Sequence, residues 1–98
     1  MTKADIVDII ASSTGLTKVD TEQVVNGFIE TVIEAMKSGE NIEIRGFGSY
    51  KVDKRASRRA RNPRTNEEVI IPERYVPLFK PSRKFKTAVD ETMQARES

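Results

Sequence analysis

The sequence predicts an α+β fold. Two helices form the intertwined base of a dimer, strands run out into a protruding β-ribbon arm, and a last helix ends the chain. Three observations predict it. The apolar spacing changes from helical to alternating near Asn41, positive charge is confined to one internal segment, and the second helix carries an apolar face too wide for a body this small.

The first helix is expected from Thr2-Lys3-Ala4-Asp5 and the second from Thr17-Lys18-Val19-Asp20, each a Thr followed three residues later by an acid, as in a capping box. Gly15 and Gly39 fall where helices end, because glycine takes positive φ without a Cβ clash. Helix one presents Ile6, Ile9 and Ile10. Helix two presents Val24, Val25, Phe28, Ile29, Val32, Ile33 and Met36, a stripe that reads as core and faces more than one neighbour.

From Asn41 the period is two. Ile42 and Ile44 alternate with Glu43 and Arg45, Gly46-Phe47-Gly48 makes a tight corner that drives Phe47 inward, and Tyr50 and Val52 resume the alternation. Asp53 to Arg61 is almost wholly basic, and Glu67 to Tyr75 reads as the returning strand. Between them Asn62-Pro63-Arg64-Thr65 is a β-turn sequence, and Asn66 tolerates the left-handed conformation of a bulged loop. Leu78-Phe79-Lys80 leads back to the body. The last helix is expected from Pro81-Ser82, carrying Phe85, Ala88, Val89 and Met93, with a frayed tail over Gln94 to Ser98.

Charge says what the ribbon is for. Met1 to Ile44 holds three Lys/Arg against eight Asp/Glu, whereas Arg45 to Lys86 holds thirteen against four. Four arginines stand within Arg58 to Arg64. Such crowding gains nothing for a fold unless an anion answers it, and the segment suggests a polyanion partner. Nor can the segment lie on a closed body without burying unpaired charge, so it must project. Ten residues from Val52 to the tip make an arm on the order of 30 Å long, marginal in water and mobile until bound. About 75 residues remain for the body, too few for a generous core. With no disulfide or metal to help, a dimer with an intertwined core is expected, of C2 symmetry if the chains are identical.

Composition excludes much. The chain of 98 residues has no Cys, His or Trp, which removes disulfides, Cys/His zinc sites and nucleophile–His catalysis. The acids are scattered over helix surfaces, against a carboxylate hydrolase. No apolar run approaches a membrane span and MTKADIVDII has no signal-peptide pattern, so a soluble cytosolic protein without cofactor, metal, membrane or small-molecule substrate is expected. An RNA-binding module lacks the interleaved aromatics that stack on unpaired bases. A protein-interaction arm would leave the arginines unexplained.

Gly46-Phe47-Gly48-Ser49-Tyr50, Ala60-Arg61-Asn62-Pro63-Arg64-Thr65, and Phe79-Lys80-Pro81 followed by Lys84-Phe85-Lys86 stand in order along nearly the whole chain. Together they resemble the HU/integration host factor (IHF) family of bacterial histone-like DNA-bending proteins. The resemblance implies interlocked helical hairpins under a β-sheet saddle, with two arms that follow the minor groove of double-stranded DNA. It implies one domain over 1–98: a helical dimerisation part at 1–40, a sheet at 41–80 with the arm at about 53–75, and a C-terminal helix at 81–95.

The site residues come with the resemblance. Pro63 at the tip inserts between base pairs, an apolar-wedge mechanism carried over from the family and not read from the residues. Arg55, Arg58, Arg59, Arg61 and Arg64 line the arm against phosphates and the groove floor, with Asn62 and Thr65 at the tip. Lys3, Lys80, Arg83, Lys84 and Lys86 hold the flanking DNA, and helix N-termini add backbone donors there. Ser82 stands where many members have glycine; its hydroxyl can cap the helix while its Cβ crowds the phosphate. Asn66 replaces a second glycine, at the arm turn. Glu43-Ile44-Arg45-Gly46 and Arg74-Tyr75-Val76-Pro77 resemble the IHF β subunit, where the acid–arginine pair takes part in sequence preference. The resemblance therefore implies a nucleoid-associated protein of the cytoplasm, homodimeric or paired with a related subunit. Non-specific architectural binding and a sequence-preferring role in recombination, replication or transcription both fit the sequence.

Overall fold

The computed structural model describes residues 1–97. Helix α1 spans Lys3–Thr14 and α2 spans Lys18–Lys37. At α1 both halves of the capping box form: the Asp5 amide donates to Thr2 Oγ1 at 3.3 Å and the Thr2 amide donates to Asp5 Oδ2 at 2.7 Å. At α2 the hydroxyl half is present, with the Asp20 amide 3.1 Å from Thr17 Oγ1. Helix α1 stops at Gly15, whose φ of 78° places it in the left-handed region. Helix α2 ends in a Schellman arrangement: the Gly39 amide donates to Met36 O and the Glu40 amide to Ala35 O.

The three-stranded antiparallel sheet has the order β1 (Ile42–Ile44), β2 (Gly48–Arg55), β5 (Arg74–Pro81). A separate two-stranded sheet joins β3 (Arg58–Arg61) to β4 (Glu68–Ile71), and α3 covers Arg83–Glu97. The corner between β1 and β2 is a turn closed by Phe47 N–H on Ile44 O at 3.0 Å, with Gly46 at φ 82° in the position a type II turn reserves for glycine. Arg45 therefore sits in this turn and not on a strand, since β1 ends at Ile44. The Phe47 ring meets Phe79 at 5.1 Å and Phe85 at 5.5 Å, and Tyr50 meets Phe79 at 4.8 Å. This aromatic knot fastens corner, sheet and α3 together. Phe47 nevertheless stays 38% exposed in the single chain.

The arm is one hairpin with a gap. Arg55 faces Arg74 at the end of the β2–β5 ladder; beyond Ala56-Ser57 on one strand and Pro72-Glu73 on the other, Arg58 faces Ile71. Each strand skips two residues, so the register is unbroken. Proline has no N–H for a ladder, which agrees with the break at Pro72. The two long strands read from the sequence are thus each interrupted once. At the tip, Asn66 N–H reaches Asn62 O at 2.8 Å, an i→i+4 closure one residue longer than the expected β-turn, with Asn66 at φ 59°. Asn62 Oδ1 takes the Arg64 amide at 2.9 Å, as an Asx turn requires.

Helix α3 begins at a serine cap, with the Phe85 amide donating to Ser82 Oγ at 3.1 Å. It runs through Glu97, so the tail from Gln94, where fraying is expected, is helical as far as residue 97; Ser98 lies outside the described residues. Intrahelical bonding outlasts the apolar stripe here.

The core of one chain is small. Val7 and Ala11 of α1 and Thr21 of α2 are buried, and the Thr21 hydroxyl is satisfied by Thr17 O at 2.8 Å. Helix α1 therefore packs on its Val7–Ala11 edge, while Ile6 and Ile9 stay exposed with Val24, Phe28 and Ile33. A compact chain of 11.1 kDa has about 5,700 Å² of accessible surface, whereas this one has 8403 Å². Its radius of gyration is 18.9 Å, against about 13 Å for a compact chain of this length.

Candidate nucleic-acid interface

Strand register sorts the charges. Tyr50, Val52, Pro77 and Phe79 share one face of the β2–β5 ribbon, and Val52 and Pro77 line a cavity of about 250 Å³ with Ile33 and Met36 of α2. The opposite face carries Ser49, Lys51, Asp53 and Arg55 on β2, with Lys80 and Arg74 on β5. It opens into a groove of about 450 Å³ lined by Arg45, Lys51, Lys80 and Lys86, with Glu43 the one acid among its lining residues. Arg45, Lys80 and Lys86, which the structure places on turn, strand and helix, meet here. Lys51 was missed by that reading. Its place on the outward alternation, two residues from Ser49 and from Asp53, was the available signal.

Along the distal arm the cations divide. Arg59 and Arg61 share a face with Ile70 and Glu68, while Arg58 and Ala60 share the other with Ile71 and Val69. Arg59 pairs with Glu68 at 3.4 Å and Arg55 with Asp53 at 3.4 Å. Lys54 pairs with Glu73 at 3.0 Å and lies 5.8 Å from the Tyr75 ring centre. These pairs are about half exposed or more and worth a few tenths of a kcal/mol each. The ribbon thus carries carboxylates of its own, but over residues 53–75 four acids face seven Lys/Arg, too few to neutralise it. Among the described residues, Arg58, Arg61 and Arg64 have no ion pair; Arg61 instead donates to Asn66 O at 3.1 Å. Pro63 and Arg64 are exposed at the apex, with Thr65 Oγ1 accepting the Glu67 amide at 3.3 Å behind them.

The body cations lie at helix starts. Lys3 opens α1 and donates to Asn26 Oδ1 at 2.8 Å. Arg83 and Lys84 stand in the first turn of α3, with Lys86 directly after and no acid in that turn. Cations there oppose the helix dipole, at a few tenths of a kcal/mol each, so α3 gives up stability to concentrate positive potential beside the groove. No ion pair joins Glu43 to Arg45 among the described residues. No cluster of His, Cys, Asp and Glu suited to a metal exists among them either, and no helix is long and apolar enough to cross a membrane.

Residues 1–90 match the model of a family described as bacterial DNA-binding protein. The chain is 42% identical to the DNA-binding protein HU of Thermotoga maritima, over 91% of this chain and 99% of that protein. It is 41% identical to the integration host factor subunit beta of Marinobacter nauticus, over 96% and 97%. Among solved structures, a cocrystal of Anabaena HU with DNA matches with a TM-score of 0.86 at 38% identity, covering 91% of this chain and 97% of that one.

Proposed function

The chain belongs to the bacterial DNA-binding protein family of HU and integration host factor, and from that premise we propose that its arm carries Pro63 into the minor groove of duplex DNA and kinks it there. The protein is an architectural DNA-binding protein of the HU/IHF α+β fold; it binds double-stranded DNA as a dimer and is not an enzyme. Its place of action in this reading is the nucleoid, in the cytoplasm. One domain spans the chain, with 1–40 for dimerisation, 41–80 for the sheet and its arm at about 53–75, and the C-terminal helix, formed over Arg83–Glu97, packed on the β1–β2 corner through Phe85.

One observation supports the arm reading above others: a cationic ribbon stands clear of its own body with an exposed proline at the apex, above a groove whose lining holds four cations and one acid. A rigid apolar ring with no N–H to desolvate suits insertion between base steps. Arg55, Arg58, Arg59, Arg61 and Arg64 supply charge along the minor groove, with Asn62 and Thr65 holding the tip in shape. Lys3, Arg45, Lys80, Arg83, Lys84 and Lys86 meet phosphates of the flanking duplex. The minor groove tells little more than A·T from G·C, so preference follows how readily a site bends. HU and IHF β relatives match at like identity, so an IHF-like sequence preference is no better supported than non-specific binding.

Fluorescence transfer across a doubly labelled duplex of about 35 base pairs, roughly three helical turns, tests the wedge. Pro63→Ala should cut the bend sharply while affinity falls less than about tenfold, since phosphate contacts carry most of the binding. A variant that bends DNA as the parent does would rule out insertion by Pro63.

A further inference from the structure

The last rung of the β2–β5 ladder sets two guanidinium groups against each other. Arg55 and Arg74 are register partners on the face that looks away from α2. Directly opposed residues have Cα atoms about 4.5–5.5 Å apart, and like charges placed so destabilise a sheet. The chain does little to relieve this. Asp53 reaches Arg55 Nε at 3.4 Å with both side chains about half exposed, and Arg74 has no ion pair among the described residues. Glu73, next to Arg74, is taken by Lys54 on the other face. The ladder stops immediately beyond this rung, at Pro72-Glu73, so the pair sits where the arm leaves the body.

We infer that Arg55 and Arg74 form a two-pronged seat for a single phosphodiester group of the duplex, at the root of the arm, with Arg74 a DNA-contacting residue in its own right. The inference rests on the DNA-binding reading above. Guanidinium presents a planar fork of donors matched to phosphate oxygens, and two forks can share one anion whose charge cancels their mutual repulsion. The seat lies on the same face as Lys51 but four residues further along β2, with Asp53 between them, so it stands outward of the cationic groove on the way to the arm.

The test is the salt dependence of binding to a duplex of about 35 base pairs, in which each lost phosphate contact lowers the slope of log affinity against log salt by about 0.9. Arg74→Thr and Arg55→Thr should each lower the slope by less than one contact, because the remaining guanidinium still answers the phosphate, and the double variant by about one. Lys18→Thr, which removes a cation that is ion-paired with Asp8 at the start of α2, should leave the slope unchanged. Free of DNA at low salt, Arg74→Thr should melt about 1–3 °C above the parent, a gain that vanishes at about 1 M salt. A parental slope in the double variant, with Pro63→Ala still reducing the bend, overturns the seat and leaves DNA binding intact. A double variant that loses two contacts means two separate phosphates and also overturns it, as does an equal slope loss in Lys18→Thr. Absence of salt-dependent duplex binding by the parent would instead remove the DNA-binding reading beneath it.

Discussion

Gly48 shows how one residue fixes a contact surface. It is buried at the start of β2, and a Cβ there would lie 2.8 Å from the Phe79 ring and closer still to the Lys80 carbonyl. The backbone of β5 is therefore pressed against β2 at the Gly48–Pro81 rung, next to the Ser49–Lys80 rung that carries Lys80 into the groove. Gly48→Ala should destabilise the protein by about 1–3 kcal/mol through overpacking, read as a lower midpoint in urea unfolding; a parental midpoint would mean that the strands separate freely. The corner was legible in the sequence because two glycines flank an aromatic residue. What each glycine does was not: Gly46 supplies a positive φ, whereas Gly48 supplies room for a neighbour that only the register reveals. Arg45 was misplaced for a related reason, since alternation runs on through a residue that the turn has already claimed.

At the scale of elements, the helices were readable because their caps are local: Thr2, Thr17 and Gly39 need only their own neighbours to act. The arm was readable as a hairpin from Asn62-Pro63, and its cationic nature from composition. Its interruption was not, because Ala56, Ser57 and Glu73 carry no strong signal and Pro72 fits a strand edge equally well. The groove at the β1–β2 corner joins turn, strand and helix, so no window of sequence displays it. Sheet β3–β4 has two strands and no covering layer, which is marginal in water. Its amides should exchange with solvent orders of magnitude faster than those at the Tyr50–Phe79 rung, and should slow markedly with duplex DNA present. Equal protection along the whole ribbon in the free protein would contradict this.

The whole molecule is defined by surface it has not covered. An accessible area about 2,700 Å² above that of a compact chain of 11.1 kDa reflects both the arm and the apolar residues left outside α1, α2 and α3. Phe28 is 47% and Ile33 51% exposed, on a chain whose family binds DNA as a dimer. Folding and association should then be one event: the melting temperature should fall by about 3–4 °C for each tenfold dilution, followed by circular dichroism. A melting temperature independent of concentration would show that one chain folds alone. The gap in the arm matters at this scale too. Because both strands omit the same number of residues, the outer half can swivel on the inner half and every partner keeps its opposite number. One set of side chains can then follow duplexes of different curvature without any rung being exchanged.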